Sequence, residues 1–178
     1  MPQDQRGRRS HDRLPLDVAG RDGRMPAFAL LDDIRSVGNV GSVFRTADAV
    51  NLGGLFLCGC TATPPRADME KTALGATRTV PWDYWPRAVD AVRGLRTAGV
   101  KVLALEQVPG AADYGAVRYD FPICFVLGHE VRGVSPEILA LVDGAVEIPM
   151  AGAKRSLNVA VSFGVMCYEL RRQWPAGG

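Results

Sequence analysis

A chain of 178 residues, 47% of them apolar, is long enough to bury one sizeable core, and its net charge of +2 does not mark it as a polyanion binder. No apolar run approaches the ~18 residues of a membrane span, and the first residues lack the apolar stretch of a secretory signal, so the expected setting is cytoplasmic. Two histidines and four cysteines, with no C-x-x-C spacing, leave little material for a metal site or a Ser-His-Asp triad. No metal is expected.

Residues 1–24 hold six arginines and four aspartates, whereas the remainder holds fifteen basic and fifteen acidic residues. The whole positive excess lies in this polar, aperiodic stretch, which reads as a disordered basic tail ahead of a single domain over 25–174. Order is expected from "FALLDD" (Phe28 to Asp33), a short apolar run ending in two acids. "NVGSVFRTADAV" (Asn39 to Val50) follows as a helix, with Val40, Val43, Phe44, Ala47 and Val50 on one stripe and Arg45 opposite. Taken alone, Arg45 reads as a surface residue free to pair with Asp48 three positions on.

"GGLFLCGC" is a second buried strand, "PPRADMEKTALGA" a helix closing on Gly75, and "TVPWDYW" a short extended piece. "PRAVDAVRGLRTAG" is an amphipathic helix, with Pro86 in its first turn and Gly99 past its end. "VKVLALE" and "PICFVLG" are strand-like; a Gly-rich loop, the helix "SPEILALV" and the strand "GAVEIPM" come next, and "SLNVAVSFGVMCYELRRQW" is the last helix. Cys124 and Cys167 sit in apolar stretches and are expected to be buried thiols. Alternating helices and short strands, apolar on both faces, define an α/β fold with a parallel sheet flanked by helices.

Ligands of such sheets bind beyond the C-terminal ends of the strands. There the chain offers "IRSVGNVGSVFR", "QVPGAADYG", "HEVRGVS" and "AGAKRSLN". Neither G-x-G-x-x-G nor G-x-x-x-x-G-K-[ST] follows any strand, so dinucleotides and nucleoside triphosphates lack their phosphate cradle. A ligand held through base and sugar, such as an S-adenosyl compound, remains. Glu130 reads either as a functional carboxylate or as a helix-capping or turn carboxylate paired with Arg132 or Lys154. Ser156 occupies an N-cap position, with Asn158 in the first turn behind it. The last helix is apolar over most of its circumference, so it is either central in the fold or packed on one side against a second subunit; the latter is favoured.

Three stretches in this order resemble the motifs of the SpoU/TrmH family of RNA ribose methyltransferases, in the SPOUT superfamily. They are "NVGSVFRTADA" with Asn39 and Arg45, "FVLGHEVRGVS" with Gly128, Glu130 and Gly133, and "IPMAGAKRSLNVAVSFGVMCYE" with Ile148, Met150, Ser156, Leu157 and Asn158. Asn51 stands where glycine is common in the family. The resemblance implies a C-terminal deep trefoil knot and S-adenosyl-L-methionine held largely by backbone groups around Leu105, Gly128, Ile148, Met150, Ser156 and Leu157. It also implies a homodimer through the last helix, with a shared active site.

In that frame Arg45 grips the phosphate beside the target ribose, Asn39 and Asn158 orient ribose or phosphate, and Glu130 holds Arg45 or orders its loop. Ser156 caps the last helix and borders the cofactor. The implied activity is methyl transfer to a ribose 2′-hydroxyl of RNA. Transfer RNA is favoured for a short, single-domain member, with ribosomal RNA as the alternative. A competing reading is an RNA-binding protein that keeps the fold and has lost catalysis, which intact Arg45, Glu130, Ser156 and Asn158 argue against.

Overall fold

The computed structural model describes residues 16–18 and 23–174. Its centre is one seven-stranded sheet in the order β3-β2-β1-β6-β4-β7-β5, every neighbouring pair parallel. The strands are β1 (Met25–Asp32), β2 (Leu52–Cys58), β3 (Trp82–Trp85), β4 (Lys101–Leu105), β5 (Ala112–Asp113), β6 (Ile123–Leu127) and β7 (Gly144–Glu147). Helices α1 (Val37–Ala49), α2 (Ala67–Ala73), α3 (Ala88–Thr97), α4 (Pro136–Leu139) and α5 (Val159–Gln173) complete it. The two-residue β5, inside the stretch read from sequence as loop, has no apolar pattern to announce it.

Successive residues of a strand face opposite ways, and β1 shows why its run is apolar throughout. Ala27, Ala29 and Leu31 enter one core with α1, α2 and α5, whereas Phe28 and Leu30 enter a second core with α3 and α4. Helices therefore cover both faces of the sheet, as the sequence pattern predicts. Most of the expected basic tail lies outside the described residues. Leu16 and Val18, within it, pack against the second core.

Helix α5 carries two apolar faces. Phe163, Met166, Cys167 and Leu170 recur at helical spacing and are buried, with the Phe163 ring 5.6 Å from that of Phe125 in β6. On the opposite side Val161 and Tyr168 remain 51% and 58% exposed. The first face anchors the helix to the sheet; nothing among the described residues covers the second. The thiols of Cys124 and Cys167 are buried, as expected, and so is Cys58, while Cys60 is exposed.

Two backbone positions are demanding. Asn51 adopts φ +55°, a left-handed conformation that asparagine tolerates better than most residues with a Cβ, which accounts for its standing where glycine is common. Gly41 lets α1 lie hard against α2: a Cβ there would fall 2.1 Å from the Thr72 Oγ1 and 2.5 Å from the Met69 carbonyl oxygen. Since the backbone oxygen cannot swing aside, Gly41→Ala is expected to lower stability by about 1–3 kcal/mol. The urea unfolding midpoint checks this.

Candidate active site

At the C-terminal ends of β1, β4, β6 and β7 the chain encloses a cavity of about 780 Å³. Its wall brings together four loops: Arg35 to Asn39, Leu105 to Gln107, Leu127 to Val131 with Gly133, and Glu147 to Asn158. Asn39, Glu130, Ser156 and Asn158 line it, as do Leu105, Gly128, Ile148, Met150 and Leu157. Arg45 does not line it within this single chain.

A hydrogen-bonded chain of three side chains ties three of these loops together. Asn158 is the N-cap of α5, its Oδ1 accepting the N–H groups of Ala160 (2.9 Å) and Val161 (3.4 Å). With that oxygen committed, its Nδ2 donates to Asn39 Oδ1 at 3.1 Å. The Asn39 amide in turn donates to Glu130. Glu130 accepts two further N–H groups with its two oxygens, Arg35 at 3.2 Å and Ser36 at 3.0 Å. Each amide is thereby fixed in one orientation.

Burial alone would push the Glu130 carboxyl up, but the N–H donors of Ser36, its own backbone and Arg35, joined by Asn39, outweigh it and hold the group below its ordinary value. It stays a carboxylate at neutral pH.

These contacts correct three expectations. Ser156 does not cap α5; it lies in the preceding loop, and Asn158 is the cap rather than a first-turn residue, because the backbone reaches helical geometry only at Val159. Glu130 pairs with neither Arg45, Arg132 nor Lys154; of the two roles expected of it, the ordering of a loop is the one the contacts show, its oxygens facing backbone N–H groups of the β1–α1 loop. Arg45 and Asp48 form no ion pair, since Asp48 accepts from the Thr79 hydroxyl at 2.6 Å. The Arg45 side chain is exposed and without a hydrogen-bond or ion-pair partner among the described residues.

Two glycines shape the wall after β6. A Cβ on Gly128 would lie 2.2 Å from the carbonyl group of Gly133, and Gly133 itself sits at φ +68°. The turn between them closes with the Gly133 N–H donating to the His129 carbonyl at 2.8 Å. Glu106, which sequence reading did not single out, fastens this turn to β4: its Oε2 accepts the Val134 N–H at 2.9 Å and its Oε1 the Gln107 N–H at 3.0 Å. Its only sequence signal is a carboxylate directly after a strand.

β1 ends in Asp32, and Asp33 follows it. Burial first, and then the charge of Asp33, push the Asp32 carboxyl up to about 6, against the opposing pull of Arg132 and His129. Asp33 is held below its usual value chiefly by the Cys60 N–H, which donates to its Oδ1 at 2.9 Å.

The model of the SpoU rRNA Methylase family matches residues 26–168, and the chain belongs to that family. The chain is 35% identical over 144 residues to a tRNA (guanosine(18)-2′-O)-methyltransferase of Thermus thermophilus, covering 81% of this chain and 73% of that one. An AdoMet-bound rRNA methyltransferase from Sinorhizobium meliloti superposes with a TM-score of 0.78 at 31% identity, over 84% of this chain and 57% of that one. A structure described by 2-OH methylation of C/U34 on tRNA gives 0.74 at 28% identity, over 83% of this chain and 95% of that one. No described helix is long and apolar enough to cross a membrane.

Two measurements probe this region without any ligand. Asn158→Ala removes the α5 cap and should lower stability by about 0.5–2 kcal/mol, read from urea unfolding. Asp32 has a folded pKa above its unfolded one, so the folded chain holds a proton that the unfolded chain releases, and stability falls as pH rises from about 4 to about 6. Asp32→Asn removes that fall: its unfolding midpoint should exceed the parent's at neutral pH and converge with it near about pH 4.

Proposed function

We propose that the protein is an S-adenosyl-L-methionine-dependent methyltransferase that methylates a ribose 2′-hydroxyl of transfer RNA, as a cytoplasmic homodimer with a deep trefoil knot in its C-terminal part. The observation that carries the reading is the Asn158–Asn39–Glu130 chain, which gathers the three family motifs around one cavity. Two of the similar proteins described above are named for transfer RNA and one for ribosomal RNA, which favours transfer RNA as substrate. The open face of α5 supports the dimer.

The cavity suits the cofactor's chemistry. Leu105, Leu127, Ile148, Met150 and Leu157 offer an apolar wall for an adenosyl group, and Glu106, Glu130 and Glu147 offer negative charge to its cationic parts. Backbone groups around Gly128, Ile148, Met150, Ser156 and Leu157 would hold it, with no phosphate cradle required. When bound, the cofactor supplies an electrophilic methyl group on a sulfonium.

The chain's own residues then contribute alignment. Asn39 and Asn158, fixed by their partners, orient the ribose or its phosphate with what capacity they retain, and Glu130 keeps the β1–α1 loop in place. A guanidinium stays protonated at neutral pH, so Arg45 is not the base. It grips the phosphate beside the target ribose and stabilises the developing alkoxide, with phosphate or water accepting the hydroxyl proton. Because Arg45 lies outside the cavity of its own chain, a two-fold mate is the natural source of the arginine at each site.

The test is transfer of labelled methyl from S-adenosyl-L-methionine to total RNA of cells lacking the protein, followed by size fractionation and nucleoside analysis. A 2′-O-methylated nucleoside in the transfer-RNA fraction is expected. Label in ribosomal RNA would correct the substrate, and none, with cofactor bound, would favour a binding protein without catalysis. Arg45→Ala should abolish methylation while cofactor affinity stays within about threefold, because the arginine acts on RNA rather than on the cofactor. Near-parental turnover in that variant would remove Arg45 from the mechanism.

A further inference from the structure

Charge is distributed unevenly around the cavity. Glu106 and Glu130 spend their oxygens on backbone N–H groups and remain negative charges in the wall. Arg35 and Arg155, which line the same cavity from the β1–α1 and β7–α5 loops, are both exposed and form no ion pair or side-chain hydrogen bond among the described residues. Arg66, Arg87, Arg96 and Arg172 find carboxylates on the surface, and Arg45, Arg78, Arg118, Arg132 and Arg171 are unpaired among the described residues like Arg35 and Arg155; what sets these two apart is that they line the cavity. Two unpaired guanidiniums in the wall of this cavity are placed for an anion that comes from outside the chain.

The placement of Arg35 is well defined. Its own N–H and that of Ser36 are held by Glu130, so the side chain leaves the backbone from a fixed point at the cavity. Arg155 stands on the wall shared with a second, adjoining cavity of about 460 Å³, directly before Ser156. Carboxylates in the wall suit a cationic ligand within the cavity, and exposed guanidiniums on two different loops of it suit phosphates.

We infer that Arg35 and Arg155 are substrate-positioning residues that seat backbone phosphates of the RNA flanking the target nucleotide. The inference rests on the proposed RNA methylation and adds two phosphate seats to the one given to Arg45. An RNA strand that contacts both loops is held at two points of the cavity wall, which restricts where its ribose can lie relative to the methyl donor. Neither arginine carries base information, so their loss weakens all sequences alike.

The experiment uses the full chain, bulk transfer RNA from cells lacking the protein, and the variants Arg35→Gln, Arg155→Gln, Arg35→Lys and Arg155→Lys. Arg93→Gln, at a surface arginine of α3 beside Asp90, serves as control. Each glutamine variant should raise KM for transfer RNA about tenfold with kcat within about twofold, as expected when binding common to ground and transition states is removed. The slope of log affinity against log salt should fall by about 0.7–0.9 per variant, the loss of one phosphate contact. The lysine variants keep the slope, the control keeps everything, and S-adenosylhomocysteine binding is unchanged in all.

Parental KM and slope in both glutamine variants, with methylation intact, would overturn the inference and leave the proposed function standing. Altered S-adenosylhomocysteine affinity would also overturn it, placing these arginines on the cofactor. A parent that neither binds nor methylates transfer RNA would overturn the underlying reading and this one together.

Discussion

The carboxylate of Glu130 is the fixed point on which the site depends. Its oxygens accept the backbone N–H groups of Arg35 and Ser36 just ahead of α1, and it takes a further hydrogen bond from the Asn39 amide. Backbone donors at a helix entrance have no intrahelical partners, so the carboxylate meets a need of the fold while it shapes the cavity. Asn39 passes the constraint to Asn158, and Asn158 passes it to the start of α5. Two helix entrances and the loop after β6 are thus held in register by side chains that also face the ligand space. An uncharged partner at position 130 would make weaker hydrogen bonds to the same donors.

This double duty explains why the functional residues read ambiguously as a sequence. Asn158 caps α5 and Glu130 braces a loop, so each has a sufficient structural role, yet each lies in the wall of the cavity. A structural duty and a place in the cavity wall coincide in these two side chains. Arg45 lies on the surface as the bland reading expects, but without the ion pair to Asp48, which accepts from the Thr79 hydroxyl. An exposed arginine without a partner, inside a motif shared with RNA methyltransferases, is the residue whose role is least explained by its own chain.

The α/β alternation was legible because a parallel sheet covered on both faces leaves apolar runs of recognisable length, as in β1 and β6. Three motifs made the cavity-lining residues legible as well. What escaped was decided by backbone geometry rather than by pattern. The start of α5 depends on where φ and ψ become helical, which moved the cap from Ser156 to Asn158. Glu106 escaped because its partners are N–H groups of Val134 and Gln107, and a backbone N–H leaves no mark in the sequence. The edge strand β5 is two residues long and exposed, so no hydrophobic signal could reveal it.

The bond between Asn39 and Asn158 spans 119 positions of the chain. Protein synthesis proceeds from the N-terminus, so β1 and α1 leave the ribosome long before the asparagine that completes their arrangement has been added. While α5 is still inside the exit tunnel, Asn39 has no amide to receive and the fourth wall of the cavity does not exist. The ligand pocket is therefore among the last features of the nascent protein to be assembled.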